Sequence, residues 1–190
     1  MRRLNTETNV NYVKYIAQTD DPNVLLDELM TAYGKDVWNY AYSITRKWDM
    51  ADDITQDVFI KVYRHIDSFR RDASVKTWLL TITRNTAIDY QRSAFIRKVT
   101  LSDWLEERGE HRSVEQDLME KWNINEMWDM VLKLPTKYRE AIILFAHHQL
   151  SMKEMAEVLG VTEGTVKSRL FHARKKLSKM KESSDNGSVR

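Results

Sequence analysis

Residues 163–176 (EGTVKSRLFHARKK) combine basic and hydroxyl side chains with a regular apolar spacing. At about 100° per residue, Val166, Leu170 and Ala173 fall on one side of a helix. The opposite side carries groups that can hydrogen-bond to base edges or pair with phosphates, and such a helix fits the major groove of duplex DNA. The pattern therefore predicts a DNA-reading helix, and the alternative is a helical hairpin with a solvated basic face. The predicted DNA-facing residues are Thr165, Lys167, Ser168, Arg169, Phe171, His172, Arg174, Lys175 and Lys176.

The residues just before this helix supply the other half of a helix-turn-helix. Ser151 and Glu154 have the spacing of a capping box, in which each side chain binds a free amide at the helix start. Gly160 is suited to end that first helix, since glycine readily adopts the left-handed conformation of a helix end. Thr162 is placed to cap the second helix. We therefore expect two short helices joined by a tight turn.

The composition indicates an all-α protein. The chain has 190 residues, of which only five are glycine and two are proline, and 42% are hydrophobic. The absence of cysteine excludes a disulfide framework and a thiolate metal site. No signal peptide or apolar run of about eighteen residues is present, so we expect a soluble, cytoplasmic protein without direct membrane insertion. The net charge of +2 predicts localised rather than uniform basic surfaces.

Changes in composition along the chain predict two small helical domains joined by an acidic linker. In the first domain we expect helices over 22–48, 51–66 and 75–92, with Leu26 and Met30 starting the inner face of the first helix. The second domain ends in the helix-turn-helix. The predicted segments are a flexible arm (1–21), the first domain (22–95), the acidic linker (96–122), the second domain (123–180) and a disordered tail (181–190).

The sequence lacks the patterns of an enzyme or of a metal protein. It has no phosphate-binding glycine loop and no nucleophile elbow, and the acidic cluster around Asp53 lacks calcium-loop spacing. The five histidines are scattered. His147 and His148 are adjacent at the end of a helix predicted over 138–148, so we expect them to point to different sides and to be half-exposed rather than paired ligands. We expect no metal, no cofactor and no catalysis.

Several motifs in a fixed order resemble one family. The segments ADDITQDVFIKVYRHIDSF, KTWLLTITRNTAIDYQR, LPTKYREAIIL and EGTVKSRLFHARKKL resemble the bacterial RNA polymerase sigma factors of the extracytoplasmic-function (ECF) type, over about residues 25–177. The resemblance implies a protein that binds core RNA polymerase and directs promoter-specific transcription initiation. It also implies recognition of minus-thirty-five and minus-ten promoter DNA, and control by an anti-sigma protein.

The resemblance also implies roles for particular residues. The second helix would dock on core polymerase through Asp53, Gln56 and Asp57. The loop that follows it and the third helix would open and read the minus-ten element, and the helix over 163–176 would read the minus-thirty-five element. The residues implied at the minus-ten element are Phe69, Arg70, Arg71, Ser74, Lys76, Trp78, Arg84, Asn85 and Arg92.

Two other functions fit parts of the same pattern. One is a stand-alone helix-turn-helix transcription regulator whose N-terminal domain senses a signal or dimerises. The other is a protein-interaction module whose basic helix face contacts protein. Only the sigma-factor interpretation gives a role both to the surface at 53–57 and to the loop at 69–76.

Overall fold

Every regular element in the described part of the chain is an α-helix, which confirms the predicted fold class. The computed structural model describes residues 21–65, 74–101 and 126–187. None of the helices found there is both long enough and apolar enough to cross a membrane. In chain order they are α1 (Pro22–Thr45), α2 (Trp48–His65), α3 (Val75–Leu101), α4 (Glu126–Lys133), α5 (Thr136–Ala146), α6 (Met152–Leu159) and α7 (Glu163–Gly187).

Helix α1 begins at a side-chain cap. Asp21 accepts a hydrogen bond of 2.8 Å from the backbone N–H of Asn23, and Pro22 occupies the first turn. The helix ends at Arg46, whose φ of 58° lies in the left-handed region. The start of α1 therefore follows from the local sequence, whereas its end, three residues before the predicted end at 48, does not.

The inner face of α1 differs from the prediction at its start. Leu25 and Leu29 are buried, whereas Leu26 is half-buried and Met30 is 47% exposed, so the predicted stripe was wrong by one residue there. Both stripes reach Tyr33 at helical spacing, and periodicity alone does not choose between them. The packing of α1 on α2 and α3 decides the choice.

Helices α1, α2 and α3 pack together as a first bundle. Ile54, Val58 and Val62 of α2 are buried at spacings of four residues, as expected for one face of a helix. On α3, Thr83 and Thr86 are also buried: Thr83 donates to the carbonyl of Leu79 at 2.8 Å, and Thr86 accepts from Lys61 at 2.9 Å. These bonds satisfy the hydroxyls, as buried polar groups require.

Helices α4 to α7 form a second bundle that contains the predicted helix-turn-helix. The Ser151 N–H donates to Glu154 at 2.9 Å, and the Glu154 N–H donates to the Ser151 hydroxyl at 3.3 Å, so the capping box is confirmed. Gly160 ends α6 at φ 63°. The Thr162 hydroxyl accepts from the N–H of Thr165 at 3.2 Å and caps α7.

Two helices extend beyond their predicted ends. α3 continues to Leu101 and α7 to Gly187, into segments that the composition predicts as linker and as disordered tail. Neither extension contains a proline, and the last turns of α7 are supported by a 3.0 Å bond from Ser178 to Glu182, four residues apart. Polar composition predicted the end of the packed domain, but it did not determine where the helix itself stops.

The two bundles contact each other through α1 with α5 and through α3 with α6. The sides of α1 and α3 therefore form the surface of the first bundle that faces the second bundle. This arrangement, with the bundles in contact, is called closed below.

Two glycines provide a matched test of the backbone. Gly160→Ala should destabilise the protein by about 1–2 kcal/mol, because alanine is strained at φ 63°. Gly34→Ala, inside α1 where an added Cβ meets nothing within 4 Å, should instead stabilise it by about 0.5–1 kcal/mol. Denaturant unfolding followed by circular dichroism measures both. Shifts of the same sign would contradict the assignment of these two conformations.

Candidate nucleic-acid interface

Helix α7 has one buried and one exposed face. Val166, Leu170 and Ala173 are buried in the second bundle, and Phe171 is 63% exposed. Seven of the nine predicted DNA-facing residues have exposed side chains on the opposite face. They are Lys167, Ser168, Phe171, His172, Arg174, Lys175 and Lys176.

Two of the predicted base contacts are differently placed. Thr165 is half-buried, and its hydroxyl lies 3.0 Å from that of Thr162. Arg169 is also half-buried: its Nη1 atom is inaccessible and without a hydrogen-bond partner, and its charge acts on the phenol of Tyr40 in α1. In the closed arrangement, Arg169 is therefore turned toward the first bundle and does not stand free on the DNA-facing side.

Aromatic rings of the second bundle hold the cations of α7. The guanidinium of Arg174 lies 5.1 Å from the ring centroid of Phe145, and the Lys176 ammonium 6.0 Å from that of Tyr138. The rings of Phe171 and His172 meet edge to face at 5.4 Å. Cation–π contacts of this kind restrain long side chains, so the basic face is partly ordered before any ligand binds.

The predicted polymerase-docking residues lie on one side of α2. Asp53 and Gln56 are exposed, and Asp57 is half-buried. Asp57 accepts a hydrogen bond of 2.6 Å from the hydroxyl of Tyr90 on α3, and this bond raises the pKa of Tyr90 to about 12. The Asp57 carboxylate is thus oriented by α3, whereas the other two side chains are unshielded.

The predicted minus-ten residues fall into three groups. Phe69, Arg70 and Arg71 lie outside the described residues. Asn85 and Arg92 are exposed on α3. The remaining four are half-buried and have partners in the fold. They are Ser74, Lys76, Trp78 and Arg84.

Arg84 pairs with the second bundle. Its Nε lies 2.7 Å from Oε1 of Glu140 on α5, and the two side chains are 19% and 5% exposed. The Tyr40 hydroxyl of α1 is 3.5 Å from the same carboxylate oxygen. The charge on Glu140 is therefore compensated by groups of the first bundle, as a buried carboxylate requires.

A second group of contacts joins α3 to α6. Ser74 caps α3 by accepting from the N–H of Thr77 at 3.1 Å, and its hydroxyl lies 3.4 Å from Oε1 of Glu154. The Thr77 hydroxyl is 3.3 Å from the same oxygen. Although burial raises the pKa of Glu154, these bonds and those from Ser151 lower it overall, so the carboxylate stays ionised.

Arg139 of α5 connects the bundles at a third point. This side chain is 4% exposed, and it donates to the carbonyl of Leu132 at 2.7 Å and to that of Ile44 at 3.2 Å. Carbonyls at helix ends lack helical partners and attract cations. The sequence signal that could have identified this contact is the adjacent charged pair Arg139–Glu140 directly before the apolar run of α5.

The prediction that the adjacent histidines are half-exposed on different sides of a helix was wrong for His148 and for the separation of the two rings. α5 ends at Ala146, so both residues lie in the turn that follows it, where Gln149 has a φ of 57°. His148 is only 2% exposed, and its ring centroid lies 4.8 Å from that of His147. The turn brings both rings against Asp36 of α1 instead of separating them.

The Asp36 carboxylate lies between Lys76 and His148. The Lys76 ammonium lies 3.0 Å from Oδ2 of Asp36, and Nδ1 of His148 lies 3.5 Å from Oδ1. Burial by itself raises the pKa of Asp36. The contacts with His148 and Lys76 lower it by more, so the pKa lies well below its usual range. Burial lowers the pKa of His147 and of His148, which favours neutral imidazoles.

We expect the Arg84–Glu140 pair to control closure. Glu140→Ala should weaken the closed arrangement by about 3 kcal/mol, because it leaves the Arg84 cation facing an apolar side chain. Arg84→Ala should do the same, and the double variant should cost less than the sum of the two single variants. The chain has no cysteine, so dyes on Ala32→Cys and Lys179→Cys can report the distance between bundles by energy transfer.

Lys61→Ala is the matched control, because the Lys61–Thr86 bond lies within the first bundle. It should leave the energy transfer unchanged. Strictly additive effects of Arg84→Ala and Glu140→Ala would contradict a direct pair.

Two family models match the chain in order. Sigma-70 region 2 matches residues 29–94, and Sigma-70 region 4 matches residues 124–177. The first range falls largely on α1 to α3, and the second includes α4 to α6 and part of α7. Each bundle thus corresponds to one family model.

Relatives of known function match along both bundles. The ECF RNA polymerase sigma factor SigM of Bacillus subtilis is 32% identical over 152 residues, which cover 80% of this chain and 92% of the relative. The ECF RNA polymerase sigma-E factor of Haemophilus influenzae is 34% identical over 132 residues, 64% of this chain and 69% of the relative. Among solved structures, the sigma factor RpoE of Bartonella quintana, in complex with the anti-sigma factor NepR, is 26% identical with a TM-score of 0.63, over 82% of this chain and 96% of RpoE.

Proposed function

The chain belongs to the ECF-type RNA polymerase sigma factors and directs promoter-specific transcription initiation; from this premise, we propose how its surfaces divide that work. The observation that carries the proposal is the order of the two sigma-70 regions on two separate helical bundles. This order favours a sigma factor over a stand-alone regulator or an interaction module, neither of which needs both regions.

The exposed side of α2 binds core RNA polymerase. Asp53, one turn before Asp57, and Gln56, directly before it, are both exposed. Carboxylates grouped in this way can accept paired hydrogen bonds from arginines. The Tyr90 bond keeps the Asp57 side chain in one position. A carboxylate that is already ordered loses less side-chain entropy on binding.

Helix α3 and the residues before it read the minus-ten element. Opening a duplex costs a few kcal/mol per unstacked base, so the protein must provide stacking surfaces, cations and polar groups. Asn85 and Arg92 are exposed for such contacts. Ser74 and Arg84 can join them only after they leave their partners in the second bundle.

Helix α7 reads the minus-thirty-five element as duplex DNA. Ser168, Phe171 and His172 present short or flat side chains suited to base edges. Lys167 and Lys175 carry flexible charges suited to phosphates, which position the helix without reading sequence.

The bundles must separate for both elements to be bound. By their names the elements lie about 25 base pairs apart, or about 85 Å of B-form DNA. A compact protein of this size is only about 40 Å across. The closed arrangement therefore cannot reach both elements at once, and it represents a state that binds no complete promoter.

An anti-sigma protein is proposed as a further partner. RpoE, which shares this architecture, was crystallised with the anti-sigma factor NepR. A partner of this class would regulate access to the surfaces described above. We place the protein in the cytoplasm, where core polymerase and promoter DNA are found.

Run-off transcription with core polymerase tests the docking surface. Asp53→Ala and Gln56→Ala should each lower transcript yield by about tenfold or more, because contacts at the centre of an interface dominate its affinity. Tyr90→Phe is the matched control: it removes the hydrogen bond to Asp57 but no docking group, and it should have a smaller effect. Unchanged yield in both alanine variants would contradict the assignment of this surface.

Two substitutions on α7 should separate phosphate contacts from base contacts. Lys175→Ala should weaken holoenzyme binding to all promoter variants alike and reduce the salt-dependence slope by about one. Phe171→Ala should instead alter the order of preference among minus-thirty-five sequences. Filter binding over a salt series measures both effects. An equal loss at every sequence for Phe171→Ala would exclude it as a sequence-reading residue.

A further inference from the structure

Three side chains capable of binding a metal ion meet between the bundles. Asp36 lies on α1, and His147 and His148 follow α5. One ligand atom from each side chain lies within 4.8 Å of the other two. The cluster therefore joins the two sigma regions and exists only while they are closed.

His148 is the side chain of the cluster whose polar atoms most need a further partner. Its side chain is 2% exposed, and neither ring nitrogen has a hydrogen-bond partner. Nδ1 lies 3.5 Å from Oδ1 of Asp36, at the limit of hydrogen-bond distance and without hydrogen-bond geometry. A buried imidazole with two unsatisfied nitrogens is costly unless something else binds it.

The surroundings leave the ligand atoms available. Lys76 binds Oδ2 of Asp36 at 3.0 Å, so Oδ1 remains for a metal ion, and a bond to the second oxygen commonly orients a ligating carboxylate. The side-chain nitrogen of Asn39 lies 3.3 Å from Nε2 of His147, and Oδ1 of Asn39 is buried without a partner. Turning the amide over lets Oδ1 accept from Nε2–H, which leaves Nδ1 of His147 for the metal ion. The positive charge of Lys76 opposes a cation, but it is directed at the oxygen that the metal would not use.

The donor set selects the class of ion. Two imidazoles and one carboxylate suit a first-row divalent transition metal such as Zn²⁺, whereas Ca²⁺ and Mg²⁺ prefer oxygen alone. Tetrahedral ligands bound at about 2.1 Å lie about 3.4 Å from one another. The cluster would therefore contract by about 1 Å on binding, which draws α1 and the turn after α5 together.

We propose that Asp36, His147 and His148 bind a divalent transition metal ion between the two bundles and that the ion holds the protein closed. Because the closed state cannot reach both promoter elements, the metal lowers transcription. This regulatory consequence rests on the function proposed above, whereas metal binding itself does not.

Calorimetric titration of the full chain with Zn²⁺ tests the binding. One ion per chain should bind, and His147→Gln and Asp36→Asn should each weaken it by about tenfold or more. His65→Gln, at the exposed end of α2, is the matched control and should bind Zn²⁺ as the wild type does. Equal binding by wild type and His147→Gln, or an equal loss in His65→Gln, would overturn the site.

Energy transfer and run-off transcription test whether the bound ion closes the protein and lowers its activity. Zn²⁺ should raise energy transfer between dyes on Ala32→Cys and Lys179→Cys, and it should lower run-off transcription by the wild type more than by His147→Gln on the same core polymerase. Equal inhibition of both proteins would show that Zn²⁺ acts on the polymerase, and it would overturn the proposal that the ion holds this protein closed. Transcription without added zinc reports the sigma function separately, so failure of one proposal can be distinguished from failure of the other.

Discussion

The closed arrangement depends on one buried charge. Glu140 is 5% exposed, and an isolated carboxylate in that position would cost several kcal/mol. Arg84 compensates it from α3, and the Tyr40 hydroxyl approaches from α1. Because both groups belong to the other bundle, protein groups satisfy the carboxylate only when the bundles meet. When they separate, Glu140 and Arg84 can both return to water, so opening leaves no charge stranded in an apolar surrounding. A paired charge at this position therefore makes closure specific and also reversible.

The promoter contacts proposed for Arg84 and Ser74 would couple closure to DNA binding. In the closed state these two side chains bind Glu140 and Glu154. On this proposal, promoter DNA and the second bundle compete for them. If closure is favoured by about 1.4 kcal/mol, the apparent promoter affinity falls about tenfold, because only the open fraction can bind. A partner that binds only the open state recovers that loss.

How far the sequence predicts this structure depends on the distance over which each interaction acts. The capping box, the turn at Gly160 and the buried face of α7 involve residues within a few positions, and periodicity predicted them. The buried face of the first turns of α1 was predicted one residue off, because two stripes share the same period and only packing selects between them. The pairs Arg84–Glu140 and Asp36–His148 are separated by long stretches of chain, and no local pattern indicates them. His148 was judged half-exposed because the helix was predicted to continue through it. The site residues predicted from family motifs stay predictions, since the structure shows their placement and not their contacts with DNA or polymerase.

The contacts within each bundle and the contacts between the bundles differ in how they respond to ligands. Within each bundle the contacts are mainly apolar, from Ile54 and Val58 in the first to Val166 and Leu170 in the second, and the helices carry their own caps. Between the bundles the contacts described here are polar, made by carboxylates, guanidinium groups, hydroxyls and imidazoles. Apolar burial is insensitive to ligands, whereas a polar contact can be exchanged for water, phosphate or a cation at a comparable free energy. The polar contacts between the bundles can therefore be exchanged for other partners more readily than the apolar contacts within each bundle.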